Sequence, residues 1–182
     1  MSVFDDLTHD EMRQLADHGF SLAKRFMRVS EDAADMVQEA WLQMWNSRDR
    51  FDPSRGSLRS WFLTMVRSRC LDQLRRSRSS SLEADWAVVD PESGPAERAS
   101  ASDEASRVRA CLNQMPEDAR EILVLRDFHG LSYREIAGVL SIPQGTVMSR
   151  LHRARNDLRA RFDAPNQDSA PATSSLAAKE PL

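Results

Sequence analysis

Residues 131–161 read LSYREIAGVLSIPQGTVMSRLHRARNDLRAR, and this stretch decides the fold. Ser132 and Glu135 form an S-x-x-E capping box that opens a short helix, YREIAGVL. Ser141 and Ile142 turn the chain, and Pro143 starts a longer helix through Arg161 with Val147, Leu151 and Leu158 facing inward. Two helices joined by a short turn, the second strongly basic, read as a helix-turn-helix. Such a unit sets the first turns of its second helix in the major groove, where donors and acceptors distinguish all four base pairs. The side chains available for that are Gln144, Thr146, Ser149, Arg150 and Arg153. Gln suits adenine, Arg suits guanine or a phosphate, and Thr and Ser suit phosphates and thymine methyls. A solvated face of an ordinary helix bundle is the bland alternative for isolated arginines, and the cap, turn and basic helix together argue against it.

Upstream, a helix around 106–114 precedes PEDAREILVLRDF, where Pro116 sits at the first helical position and Gly130 ends the element. These pieces make one block, 106–162. A second block spans residues 10–78. Its segment 33–46 carries Met36, Val37, Ala40, Trp41, Met44 and Trp45 as a broad apolar stripe, with Ser30 as N-cap and Glu31 and Asp32 at the positive end of the helix dipole. Asp35, Gln38, Glu39 and Leu42 are near neighbours on the other side, by i, i+3 and i+4 spacing. The stretch RDRFDPSRGS, 48–57, breaks the pattern and is a loop. Ser57 then caps a helix with Leu58, Trp61, Phe62, Met65, Val66, Cys70, Leu71 and Leu74 on its apolar side.

Charge is segregated along the chain, although the formal total for 182 residues is only −3. Residues 1–47 carry nine acids against four bases, and residues 79–106 carry seven acids against Arg98 alone. By contrast, residues 58–78 hold Arg59, Arg67, Arg69, Arg75, Arg76 and Arg78 against Asp72, and residues 143–161 hold five arginines against Asp157. Two basic helices separated by an acidic linker suggest two contacts with one polyanion. In the first of them the arginines can hold phosphates of a duplex or an opened strand, and Phe51, Trp61 and Phe62 are candidate stacking surfaces for unpaired bases. Trp61 and Phe62 also sit at the spacing of core aromatics, so either role is open to them.

With 6 Gly, 1 Tyr and no long alternating runs, the composition predicts an all-α protein of two small helical domains. Residues 79–105, rich in Ser, Ala and acids, read as a flexible linker, in which Trp86 either docks on a partner or folds back on a domain. The tail, 163–182, has almost no bulky apolar residues and is expected to be disordered. No window approaches a membrane span and the acidic N-terminus lacks the layout of a signal peptide, so a cytoplasmic protein without membrane insertion is expected. Cys70 and Cys111 have no Cys or His neighbour at metal-ligand spacing and read as reduced thiols. The histidines, His9, His18, His129 and His152, are scattered, and no Gly-rich phosphate loop occurs. No enzyme, cofactor, metal or small-molecule substrate is expected.

The run DAADMVQEAWLQMWNSRDRFDPSRGSLRSWFLTMVRSRCLDQLRR resembles region 2 of bacterial sigma factors, and LNQMPEDAREILVLRDFHGLSYREIAGVLSIPQGTVMSRLHRARNDLRARF resembles their region 4. With no comparable middle region, the layout is similar to the extracytoplasmic-function (ECF) group of the sigma-70 family. The resemblance implies that the D-x-x-Q-E residues Asp35, Gln38 and Glu39, with Leu42 beside them, contact core RNA polymerase. It further implies that Phe51 to about Arg76 reads and melts the minus-ten element of promoter DNA, with Phe51, Arg59, Trp61, Arg67, Arg69, Arg75 and Arg76 as the residues involved. The pattern G-T-V-x-S-R, Gly145–Arg150, is implied to read the minus-thirty-five element. An anti-sigma factor and a stress or envelope response usually accompany the family. Two departures stand out: Met148 replaces a frequent lysine, which removes a phosphate contact, and Ser141 replaces a frequent turn glycine at a cost of about 1 kcal/mol. A stand-alone regulator would share the helix-turn-helix but has no use for D-x-x-Q-E beside a basic aromatic helix. A sigma-like protein that binds polymerase without starting transcription is separated only by assay.

Overall fold

The computed structural model describes residues 4, 6–27, 29–80 and 103–164. They form seven α-helices: α1 (His9–Ala23), α2 (Ser30–Asn46), α3 (Leu58–Ser80), α4 (Asp103–Asn113), α5 (Glu117–Leu123), α6 (Tyr133–Leu140) and α7 (Gln144–Asp163). Among the described residues there is no strand. A single 3₁₀ turn, Arg48–Arg50, follows α2, and α5 widens into a π-helical turn, Val124–Phe128. The fold is all-α, in two helical domains. Trp86 and nearly all of the tail lie outside the described residues.

In the N-terminal domain α1 and α2 pack on α3. Thr8 and Glu11 cap α1 reciprocally, with the Glu11 amide donating to the Thr8 hydroxyl at 3.2 Å and the Thr8 amide to the Glu11 carboxylate at 2.9 Å. Leu15 and Leu22 from α1, Met36 and Met44 from α2, and Phe62, Leu63 and Val66 from α3 fill the centre. Phe62 is fully buried, so of the two roles open to it the core one holds. The helices approach closely at Gly19, where an added Cβ would lie 2.7 Å from a Phe62 ring carbon. Burying a side chain of this kind stabilises by roughly 1.5–3 kcal/mol.

Two expectations about helix ends are corrected. Ser30 does not cap α2; its hydroxyl accepts from Lys24 Nζ at 2.8 Å, while the extended Val29 occupies the cap position without a side-chain bond. Pro116 and Pro143 are themselves cap residues, with ψ of 142° and 144°, and not the first helical residues. Their carbonyls accept the first helical bonds, from Arg120 at 3.0 Å and from Thr146 and Val147 at 2.9 and 3.1 Å. The Ser132–Glu135 capping box stands as read, with the Glu135 amide donating to the Ser132 hydroxyl at 3.3 Å.

In the C-terminal domain α5, α6 and α7 enclose Ile122, Leu125, Leu131, Ile136, Val147 and Leu151. The two cores are continuous, because α6 packs on α3.

Candidate nucleic-acid and polymerase surfaces

The turn between α6 and α7 is built from Ser141–Pro143. Ser141 adopts the left-handed conformation (φ 55°, ψ 43°), the backbone the sequence pattern assigns to glycine. The Ser141 amide donates to the Gly138 carbonyl at 3.3 Å and the Ile142 amide to Ala137 at 3.1 Å, which closes α6 and aims α7 outward. Val147, Leu151 and Ala154 anchor α7 on the core. Gln144, Ser149 and Arg153 are exposed along its outer face, with Thr146 and Arg150 half-buried at the edge. Met148, which stands where the family often has a lysine, is 54 % exposed on the same face. Arg155 pairs with Asp127 at 2.7 Å and Arg161 with Asp157 at 3.0 Å, while among the described residues Arg150 and Arg153 form no ion pair. The outer face of α7 therefore carries uncommitted positive charge at its N-terminal half.

The second basic element, α3, has a different disposition. Arg69 donates to Gln43 Oε1 from Nε and Nη2 at 2.9 and 2.7 Å, which fixes it against α2. Arg67 donates to both carboxylate oxygens of Glu121, on α5, at 2.7 and 3.3 Å. Arg59 Nη1 donates to the His129 carbonyl at 3.1 Å. Arg75 pairs with Asp72 at 3.1 Å on an exposed turn, and Arg76 is exposed beside it. Phe51 and Trp61 are half-buried and meet at 5.3 Å between ring centroids, with Phe4 edge-on to both at 6.0 and 6.1 Å. Four of the arginines expected to face a strand are thus already engaged, two of them by the other domain.

On α2, Asp35, Gln38, Glu39 and Leu42 are all exposed, as the helical spacing requires. Trp45, read from the sequence as part of the apolar stripe, is instead 57 % exposed and lies one turn beyond Leu42 on the outer side, with Arg48 stacked 5.1 Å from its ring centre. The spacing 35, 38, 42, 45 carries that signal, and pattern reading missed it because Trp45 is also next to Met44, which is buried.

Sequence spacing could not show the pairing of the domains. His18 of α1 and His129 meet Nδ1 to Nδ1 at 3.0 Å, and the His129 Nε2 atom is buried with no hydrogen-bond partner among the described residues. Burial, with His18, Arg25 and Arg59 nearby, pushes the His129 imidazole down to about 3. Glu135 accepts four hydrogen bonds: from the Ser132 amide and hydroxyl, both at 2.8 Å, from the Ser57 amide at 2.9 Å, and from the Ser57 hydroxyl. Burial opposes its charge, yet these bonds outweigh it and hold the carboxyl down at about 2. Cys70 is buried, which pushes its thiol up to about 12 and leaves it inert.

An acidic helix stripe, a basic aromatic element and a helix-turn-helix thus stand on one two-domain helical chain. Comparison with known proteins makes this specific. Sigma-70 region 2 matches residues 12–80 and Sigma-70 region 4 matches residues 105–158. The chain is 34 % identical over 163 residues to the ECF RNA polymerase sigma factor SigE of Mycolicibacterium smegmatis, covering 87 % of this chain and 61 % of that protein. It is 31 % identical over 148 residues to the ECF RNA polymerase sigma factor SigK of Mycobacterium tuberculosis, covering 79 % of each. Among solved structures, CnrH in complex with the cytosolic domain of CnrY superposes with a TM-score of 0.56 at 26 % identity, over 86 % of this chain and 90 % of that one. The chain belongs to the ECF group of the sigma-70 family of RNA polymerase sigma factors.

Proposed function

We propose that this protein is a cytoplasmic, non-enzymatic sigma factor that binds core RNA polymerase and directs promoter-specific initiation of transcription. In this reading the N-terminal domain, 10–78, grips polymerase and opens the minus-ten element, while the C-terminal domain, 106–162, reads the minus-thirty-five element. Asp35, Gln38, Glu39 and Leu42 dock on the polymerase, with Trp45 extending the same stripe. Phe51, Arg59, Trp61, Arg67, Arg69, Arg75 and Arg76 hold the opened strand, and Gln144, Thr146, Ser149, Arg150 and Arg153 hold the intact groove.

The observation that carries this reading is the order of the matched regions on one chain, region 2 with its exposed acidic stripe and then region 4 with its outward-facing basic helix. Flipping a base out of the duplex costs a few kcal/mol, and arginine-phosphate contacts together with an aromatic shelf are a physical means of offsetting it. CnrH, one solved relative, is seen in complex with the cytosolic domain of CnrY; by analogy an anti-sigma factor holds this chain until a stress or envelope signal releases it. Run-off transcription with core polymerase on promoter DNA from the chain's own operon tests the function. Specific transcripts that need this chain support it, and their absence with every such template overturns it.

A further inference from the structure

The outer face of α7 is divided lengthwise. Val147, Leu151 and Ala154 turn to the core. At about 100° per residue, Gln144, Met148 and His152 then line up at i, i+4 and i+8 along one side, while Thr146, Arg150 and Arg153 run along the other, with Ser149 between the rows. The second row carries Arg150 and Arg153, which form no ion pair among the described residues. On the side of the first row the nearest arginine, Arg155, is taken by Asp127 at 2.7 Å. His152 Nε2 lies 3.2 Å from Asn156 Nδ2, which ties this imidazole to its own helix. The centre of the first row is therefore Met148, 54 % exposed, with the exposed Gln144 one turn before it and the exposed His152 one turn after.

We propose that Met148 is a specificity-determining residue of this chain, seating its thioether side chain against the 5-methyl group of a thymine in the major groove of the minus-thirty-five element. This inference rests on the sigma reading above and adds to it the preference for one A·T pair. In the groove each base pair shows its own pattern of donors and acceptors, and the thymine methyl is the one apolar mark among them. A lysine at this position reaches a phosphate, a contact that fixes register and carries no sequence information. Methionine has no charge to offer a phosphate, so its favourable contact in the groove is with the methyl. Its unbranched, flexible side chain adapts to where that methyl lies. Gln144, one turn earlier in the same row, suits adenine. The row without free positive charge thus reads A·T base edges, and the arginine row holds phosphates or guanine. Taking one methyl group out of water is worth about fourfold in affinity.

The test uses the full chain bound to core RNA polymerase and a pool of duplexes of randomised sequence, from which bound sequences are recovered with the unchanged chain and with Met148→Ala. Each thymine of the recovered minus-thirty-five segment, on either strand, is then replaced in turn by deoxyuridine, which pairs identically and lacks only the methyl group. Fluorescence anisotropy reads the affinity. The unchanged chain is expected to lose about fourfold at one thymine, and Met148→Ala less than about 1.5-fold at the same position. That thymine should also cease to be enriched in the pool recovered with Met148→Ala. Met148→Lys is expected to lose the same methyl sensitivity and to steepen the logarithmic salt dependence by about 0.9, one added phosphate contact; as an exposed helix former it keeps the test decisive if Met148→Ala folds poorly. Deoxyuridine tolerated at every position by the unchanged chain, an equal loss in the Met148 variants, or an element with no A·T pair in this segment would overturn the proposal. If polymerase with the unchanged chain enriches no sequence, the sigma reading itself fails, whereas an enriched element without a Met148-dependent methyl contact fails this inference alone.

Discussion

Arg153 on the outer face of α7 and Arg150 at its edge have no ion-pair partner among the described residues, whereas Arg155 is held by Asp127 at 2.7 Å. That difference separates the arginines proposed to meet DNA from one that braces the fold. Arg150→Ala is expected to weaken promoter binding by about 1–3 kcal/mol in a gel-shift titration, with core-polymerase affinity unchanged. A loss of core binding instead would show that the face is wrongly assigned. Ser141 pays for the turn that aims α7, since its φ of 55° is costly for a residue with a Cβ. Ser141→Gly should therefore raise stability by about 0.5–1 kcal/mol in urea unfolding, and a destabilised variant would mean that the hydroxyl has a role the backbone does not reveal. The turn was legible residue by residue, because a capping box, a strained position and a proline each leave a local mark.

At the scale of elements, α2 shows both what periodicity yields and where it fails. Its exposed stripe of Asp35, Gln38, Glu39 and Leu42 follows from 3.6-residue spacing. Trp45 escaped because its chemistry is apolar and its neighbour Met44 is buried, so composition outweighed phase. The start of α2 also differed from expectation, because Lys24 takes the hydroxyl of Ser30 that would have capped it, a tertiary bond invisible to a local rule. Asp35→Ala combined with Glu39→Ala is expected to reduce co-purification with core polymerase at least tenfold while leaving the helical circular dichroism and melting temperature unchanged. Unchanged co-purification would remove α2 from the polymerase interface. In contrast, Gly19→Ala should lower the melting temperature by several degrees, because its Cβ would press on the buried Phe62 ring and force the α1–α3 contact apart.

For the whole molecule, the two domains and their all-helical character could be read from composition and motif order, but their contact could not. His18 and His129 are 111 positions apart, and Arg67 is 54 from Glu121. No periodicity reports such pairs; only the packing of α6 on α3 brings them together. The same contact gives the folded molecule a pH dependence. His129 is held neutral, facing His18 from α1, Arg25 after α1 and Arg59 from α3. Its folded pKa of about 3 lies below the ordinary 6.5, so its contribution to stability is full above pH 6.5 and is lost as pH falls toward 3. Glu135, held at about 2, adds a second loss as pH falls through and below 4.5. Urea midpoints measured from pH 7.5 down to 4 should therefore decline from about pH 6.5, and His129→Leu should flatten the upper part of that slope. A midpoint constant across this range would refute the burial of a neutral imidazole at the domain contact.

The assignment as a whole turns on whether an anionic helix stripe on a chain of 182 residues engages a much larger enzyme. Size-exclusion chromatography of the purified chain, free of any inhibitor, with core RNA polymerase of its host at low salt addresses this directly. Co-elution of the two at equimolar ratio, abolished by Asp35→Ala with Glu39→Ala, is the expected result. Separate elution of the chain and the polymerase across a range of salt concentrations would contradict it.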